Sequence, residues 1–142
     1  LQKDACGHRK SVYKRCMKRI IIDLDGTIAM PVAGAGYGDA VPNAPVVAAL
    51  RRYKADGFEI VIHTSRTMRT HVGNVGKINV HTLPGILDWL NRHDVPHDEV
   101  VVGKPWCGFE GFYVDDRALR PDEFARLSAA EVETLIGKGQ AG

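Results

Sequence analysis

The stretch Ile20-Ile21-Ile22-Asp23-Leu24-Asp25-Gly26-Thr27 decides the reading of this chain. Three consecutive β-branched residues predict a buried strand, and two carboxylates follow at its end, one residue apart. Side chains alternate along a strand, so Asp23 and Asp25 are expected on one face and Leu24 on the other. Gly26 and Thr27 then turn the chain away. Two acids held at the carboxyl edge of a strand can divide labour, one as nucleophile and one as proton carrier.

Working outward, residues 18–24 predict a first strand buried on both faces. Residues 28–42, rich in Gly, Ala and Pro, predict a loop or small hairpin flap. Residues 45–55 predict a helix with Val46, Val47, Leu50 and Tyr53 on one stripe, ended near Gly57. Residues 58–63 predict a second strand, which runs into Thr64-Ser65-Arg66. A polar loop over 67–77 leads to a helix over 78–93, with Leu83, Ile86, Leu87 and Leu90 on one side and Pro84 disturbing its start. Short strands are expected at 99–102 and 111–114, and a last helix at 121–136, with Pro121 in its first turn. Alternating strands and helices imply a mostly parallel sheet, whose ligands bind beyond the carboxyl ends of the strands. Asp23, Asp25, Thr64, Lys104, Asp115 and Asp116 all fall at or just past such ends.

In order, these four segments resemble the haloacid dehalogenase superfamily of aspartate-nucleophile phosphohydrolases. Asp23–Thr27 matches its D-x-D-G-T loop, Thr64 its strand-terminal Thr or Ser, Lys104 in Gly103-Lys104-Pro105 its lysine, and Phe112-Tyr113-Val114-Asp115-Asp116 its acidic strand end. Residues 66–69, 73–83 and 103–116 further resemble small phosphatases encoded with capsular polysaccharide biosynthesis. The resemblance implies a Rossmann-like three-layer α/β/α sandwich with a mostly parallel sheet. It implies Asp23 as nucleophile, Asp25 as general acid and base, and Thr64 and Lys104 as holders of phosphoryl oxygens. It also implies a Mg²⁺ held by Asp23, the Asp25 backbone carbonyl and Asp115, and by Asp116 either directly or through water. The expected activity is a Mg²⁺-dependent phosphomonoesterase acting on a sugar phosphate or related intermediate. The alternatives are a phosphatase for a phosphoprotein, nucleotide or nucleic-acid end, and a non-catalytic binding module of the same fold.

Bulk properties narrow the partners. The 142 residues are 44% hydrophobic and 25% charged, as in ordinary globular domains. The net charge of +2 is uneven: residues 1–16 carry +4, which leaves −2 for residues 17–142. That slightly acidic body argues against nucleic acid, and the small-molecule phosphate ester is the expected partner. No apolar run is long enough to span a bilayer. Three widely spaced cysteines do not make a disulfide framework, and a cytoplasmic location is expected. Residues 1–16 read as a disordered extension or cloning remnant, with the compact domain over 17–142. Cys6, His8 and Cys16 lack a fourth well-spaced zinc ligand.

Several residues have weaker assignments. Arg66, Arg69, Asn74 and Lys77 lie where an anionic substrate would enter, and are candidate substrate contacts. Trp106 and Phe109 can wall a pocket, whereas core packing suits Tyr113. His63 and His81 read as packed or surface histidines. Gly34, Gly36 and Gly38 lack the spacing of a nucleotide-binding fingerprint. The intervals from Asp25 to Thr64 and from Thr64 to Lys104 leave no room for a cap domain. The site is therefore expected to be open, closed by a homo-oligomeric neighbour or by the substrate itself.

Overall fold

A computed structural model describes residues 17–137. The expectations for residues 1–16, with Cys6, His8 and Cys16, lie outside that range. Strand β1 (Arg19–Ile22) is followed by a flap of two short strands, β2 (Ala29–Met30) and β3 (Val41–Pro42), with a 3-10 turn at Tyr37–Asp39 between them. Helix α1 (Ala44–Ala55) leads to β4 (Glu59–Thr64), then come α2 (Val75–His81), α3 (Leu83–Arg92) and β5 (Glu99–Val102). Helices α4 (Pro121–Arg126) and α5 (Ala129–Gly137) complete the described chain. The main sheet is parallel, in the order β1-β4-β5, with Ile22 opposite Ile62 and Thr64 opposite Val102. β2 and β3 pair antiparallel, as expected of a hairpin flap. The architecture is α/β and Rossmann-like. Neither inter-strand connection holds a cap domain.

One face of the sheet carries the main core. Ile22, Ile60 and Ile62 cluster there with Val46, Val47, Ala49, Leu50 and Tyr53 of α1, Ile86, Trp89 and Leu90 of α3, and Phe124 of α4. The α1 stripe thus packs as its spacing predicts. Tyr53 stacks on Phe124 (5.4 Å) and meets Phe58 edge-on (4.9 Å). Burial raises its phenol pKa, and its hydroxyl has no hydrogen-bond partner in the described chain. The Trp89 indole donates to the Ala40 carbonyl (3.0 Å), which pins the flap to α3. Among the described residues, no helix is long and apolar enough to cross a membrane.

Four expectations are corrected. β1 is not buried on both faces: Ile22 is buried, but Ile21 on the other face is 56% exposed. Among the described residues β1 ends one side of the sheet, and no strand lies beside its outer edge. The strand expected at 111–114 does not form, and Phe112, Tyr113 and Val114 are 79%, 53% and 86% exposed, so Tyr113 is not a core residue. The helix expected over 78–93 is two helices. α2 starts earlier, where the Asn74 side chain accepts from the Lys77 N–H (3.1 Å), and Pro84 makes the chain restart at α3, which leaves Leu87 exposed. The helix expected over 121–136 is also two. Ser128 Oγ accepts from Glu131 N (3.2 Å) while the Glu131 carboxylate accepts from Ser128 N (3.0 Å), a reciprocal capping box that starts a new helix.

Asp98 stitches three elements together. Its carboxylate takes Lys54 Nζ of α1 (2.7 Å) and the Ile60 N–H of β4 (2.8 Å), just before β5. The Lys54 hydrogen bond, with the Ile60 N–H second, holds its carboxyl below the usual range. A carboxyl with a lowered folded pKa stabilises the fold above its unfolded pKa, and that contribution disappears as pH falls through the folded value. Asp98→Ala is expected to cost about 1 kcal/mol near neutral pH, at the low end for a partly exposed charged hydrogen bond. The gap from wild type should close in strong acid. Urea denaturation at several pH values checks both, and a gap that does not change with pH would show that the carboxylate is not its source.

Candidate active site

All three strands of the sheet run the same way, so their carboxyl ends share one edge. After β1 the chain turns at once. The Leu24 carbonyl accepts from the N–H groups of Thr27, Ile28 and Ala29, and Gly26 sits at φ +82, a left-handed conformation that favours glycine. Leu24 is fully buried, whereas the side chains of Asp23 and Asp25 are each about a third exposed. That contrast is what alternation along the strand predicts. The loop is anchored from behind: Asn43, just ahead of α1, donates through its side chain to the Thr27 carbonyl (3.1 Å) and through its backbone to Ile28 (2.8 Å).

Thr64 ends β4 and is 1% exposed. Its hydroxyl accepts from the Arg66 N–H (3.0 Å), which leaves its own proton free to donate. The Thr64 carbonyl accepts from the Lys104 N–H (3.1 Å), so the residue after β5 is bound to the end of β4. Lys104 Nζ then reaches Asp23 Oδ1 (3.4 Å) and also lies 4.3 Å from the Tyr113 ring. Thr27 Oγ1 donates to Asp23 Oδ2 (3.4 Å). His63 stands nearby. Burial first, then the Lys104 cation, lower its pKa, and Asp23 partly opposes them.

Arg66 is the residue whose role the sequence did not reveal. It is 6% exposed and grips Asp25 with two bonds, Nε to Oδ2 (2.9 Å) and Nη2 to Oδ1 (2.7 Å). Such a fork fixes both the position and the orientation of the carboxylate. Tyr37 of the flap lays its ring 4.3 Å from the same guanidinium. The next residue, Thr67, has φ +59, a strained value for a β-branched residue, and its hydroxyl lies 2.6 Å from that of buried Thr82. Loop backbone and flap together thus hold Arg66 on Asp25. An arginine two residues past a strand-terminal threonine was the only available signal, and it reads equally as a substrate contact.

The other candidates are dispersed. Arg69 leans on Phe109 (5.2 Å), Asn74 is occupied in capping α2, and Lys77 is exposed. Trp106 and Phe109 meet edge-on (5.0 Å), and His81 stacks with His71 (5.6 Å). Asp115 and Asp116 lie in an exposed, irregular stretch, where Asp115 Oδ1 accepts from the Arg117 N–H (2.8 Å). Among the described residues no three acid, histidine or cysteine side chains gather where they could hold a metal ion. Asp23 and Asp25 are each engaged by a cation already. As folded, one chain does not fit the Mg²⁺ set implied by its sequence. A groove of about 470 Å³ along α4 and α5, lined by Glu123, Arg126 and Thr134, has no strand-end residue.

A crystal structure of a protein from Vibrio cholerae is similar to this chain at 54% identity and a TM-score of 0.82, over 86% of this chain and 98% of that one. The chain belongs to the same family as that protein. Chains in structures of the Pnkp1/Rnl/Hen1 complex, one of them described as an RNA repair complex, align at 15% and 16% identity with TM-scores of 0.44 and 0.46. They cover 78% and 80% of this chain but only 30% and 36% of theirs, and likeness at that level carries no weight for function. No family model and no curated protein matches.

Removing a buried cation from its carboxylate is costly, though less so where the partner is partly solvated. Arg66→Ala is therefore expected to lower the unfolding free energy by about 2 kcal/mol, with Arg66→Lys intermediate because it keeps the charge but not the fork. Denaturant titration reads both; an unchanged midpoint in Arg66→Ala would mean that the pair contributes nothing net.

Proposed function

We propose that this protein is a phosphomonoesterase that works through an aspartyl-phosphate on Asp23. The observation that carries the proposal is the convergence of Asp23, Thr64 and Lys104 from the ends of three separate strands, with Lys104 Nζ 3.4 Å from the Asp23 carboxylate. A phosphate monoester is doubly negative, so an anionic nucleophile needs cationic help at the attacked group. Lys104 supplies a charge there, and the free hydroxyl proton of Thr64 supplies a hydrogen bond to a phosphoryl oxygen.

In the proposed reaction an Asp23 oxygen attacks phosphorus as the bond to the alcohol oxygen breaks, and Asp25 gives that oxygen its proton. A water then attacks phosphorus, returns its proton to Asp25, and releases Asp23 and inorganic phosphate. A carboxyl that carries a proton is a neutral, weaker acceptor and must aim its O–H at the leaving oxygen, so it holds the two-bond arginine contact less well than a carboxylate. The Arg66 fork must therefore loosen for Asp25 to enter the cycle as an acid. Arg66 belongs in this reading as the group that positions Asp25, in place of the substrate contact expected from sequence.

Mg²⁺ dependence is part of the proposal as the sequence motifs suggest it, although a single chain as folded does not provide the ligands. A sugar phosphate or sugar-derived ester is the proposed substrate class, supported by the sequence resemblance to capsule-biosynthesis phosphatases. A release assay for inorganic phosphate over sugar phosphates, alcohol phosphates and nucleotides, with and without Mg²⁺, tests the class. Asp23→Asn should lower turnover by about 10³-fold or more with the fold intact by circular dichroism. Hydrolysis at the wild-type rate in that variant would remove Asp23 from the nucleophile's role.

A further inference from the structure

Among the described residues, one segment is patterned as a strand yet pairs with no other, and one strand has an edge with no strand beside it. Residues 112–114, Phe-Tyr-Val, are β-forming and apolar, and all three are more than half exposed. β1 is the outer strand of the sheet, and Ile21 at its centre is 56% exposed. An open edge of unpaired N–H and C=O groups is a template for another strand. The exposed segment ends in Asp115 and Asp116, and the open strand ends in Asp23 and Asp25. Laid parallel with Val114 beside Ile22, the segment would put Phe112 and Val114 on the core face, Tyr113 over Ile21, and Asp115 beside Asp23.

Pairing within one chain is poorly served by the connection. From the end of β5 at Val102, only nine residues, 103 to 111, precede Phe112. Parallel neighbours need a crossover of about a dozen residues or more, and this one would have to pass both β4 and β1. The chain instead folds back on itself. Gly108 has φ +79, Gly111 packs so close to the Cys107 carbonyl that no side chain would fit, and the Tyr113 hydroxyl donates to the Pro105 carbonyl (2.7 Å). A short glycine hinge ahead of an unpaired strand favours exchange between copies.

We propose that residues 111–114 of one chain pair with the free edge of β1 in a second copy, so that Asp115 and Asp116 of each chain complete the carboxylate cluster begun by Asp23 and Asp25 of the other. The exchange is reciprocal and closes as a two-fold dimer. It gives up the Tyr113 hydrogen bond and covers Ile21, Phe112 and Val114. It also accounts for the failure of one chain to gather three metal-binding side chains. The shared-site half of the proposal rests on the phosphatase reading; the strand exchange does not.

Sedimentation and subunit mixing test the two halves separately. The full chain should sediment at twice its 15.6 kDa mass. Ile21→Lys and Val114→Lys should each sediment as single folded chains, since both positions are exposed within one chain. A wild-type monomer, or a dimer that survives both substitutions, would overturn the exchange. For the shared site, Asp23→Asn and Asp115→Asn are assayed singly and after refolding together, with 4-nitrophenyl phosphate and Mg²⁺. Each alone should be silent, but a mixed dimer pairs an intact Asp23 with an intact Asp115 at one of its two sites. Random mixing should restore about one quarter of the wild-type rate. A mixture as silent as its parents, beside an active wild type, would place both aspartates in the same chain's site and reject sharing. A wild type inactive on every phosphate ester would reject the phosphatase reading with the shared site, and sedimentation would still decide the exchange.

Discussion

Parallel pairing is the constraint from which the rest of this molecule follows. Because β1, β4 and β5 point the same way in fixed register, whatever the sequence places just past each strand arrives at one edge. Asp23, Thr64 and Lys104 are 40 or more positions apart in sequence, yet a backbone hydrogen bond and an ion pair join them. Antiparallel strands would have scattered the same residues over two ends of the sheet. The helices then act on this arrangement from behind. Asn43 ties the start of α1 to the turn after β1, so packing of the α1 stripe against the sheet also fixes the acid-bearing loop.

Charge at that edge is tightly allocated. Two carboxylates face two cations, one pair through a long contact to Lys104 and the other through the short, forked contact to Arg66. The two pairs differ in what they permit. One ammonium and the Thr27 hydroxyl, each at 3.4 Å, hold Asp23 loosely, whereas the fork takes both oxygens of Asp25 at short range. The edge therefore holds one acid available and the other restrained.

Much of this was legible in the chain itself. The apolar run before Asp23, the α1 stripe and the glycine-rich flap each depend on neighbours close in sequence, and each formed where the spacing placed it. The breaks at Pro84 and at Ser128 to Glu131 were also written locally, in a missing N–H and a reciprocal cap; helical periodicity running across them hid the interruption. The strand expected at 111–114 failed for a different reason. Its pattern is sound, but a strand exists only with a partner, and the connecting segment does not deliver one within the chain. The grip of Arg66 on Asp25 lay beyond reach altogether, because it depends on side-chain direction after a strained turn at Thr67 and on a ring contributed by the flap.

That ring gives the flap a second consequence. Tyr37 belongs to a hairpin tied to the body by the Trp89 bond to the Ala40 carbonyl, by the Arg92 bond to the Gly38 carbonyl (3.2 Å) and by burial of Ala29 and Ala40. It also stacks against the guanidinium that restrains Asp25. The hairpin and the more tightly held acid thus share one side chain between them: a hairpin displaced from its seat would take the stacking ring away from the guanidinium that grips Asp25.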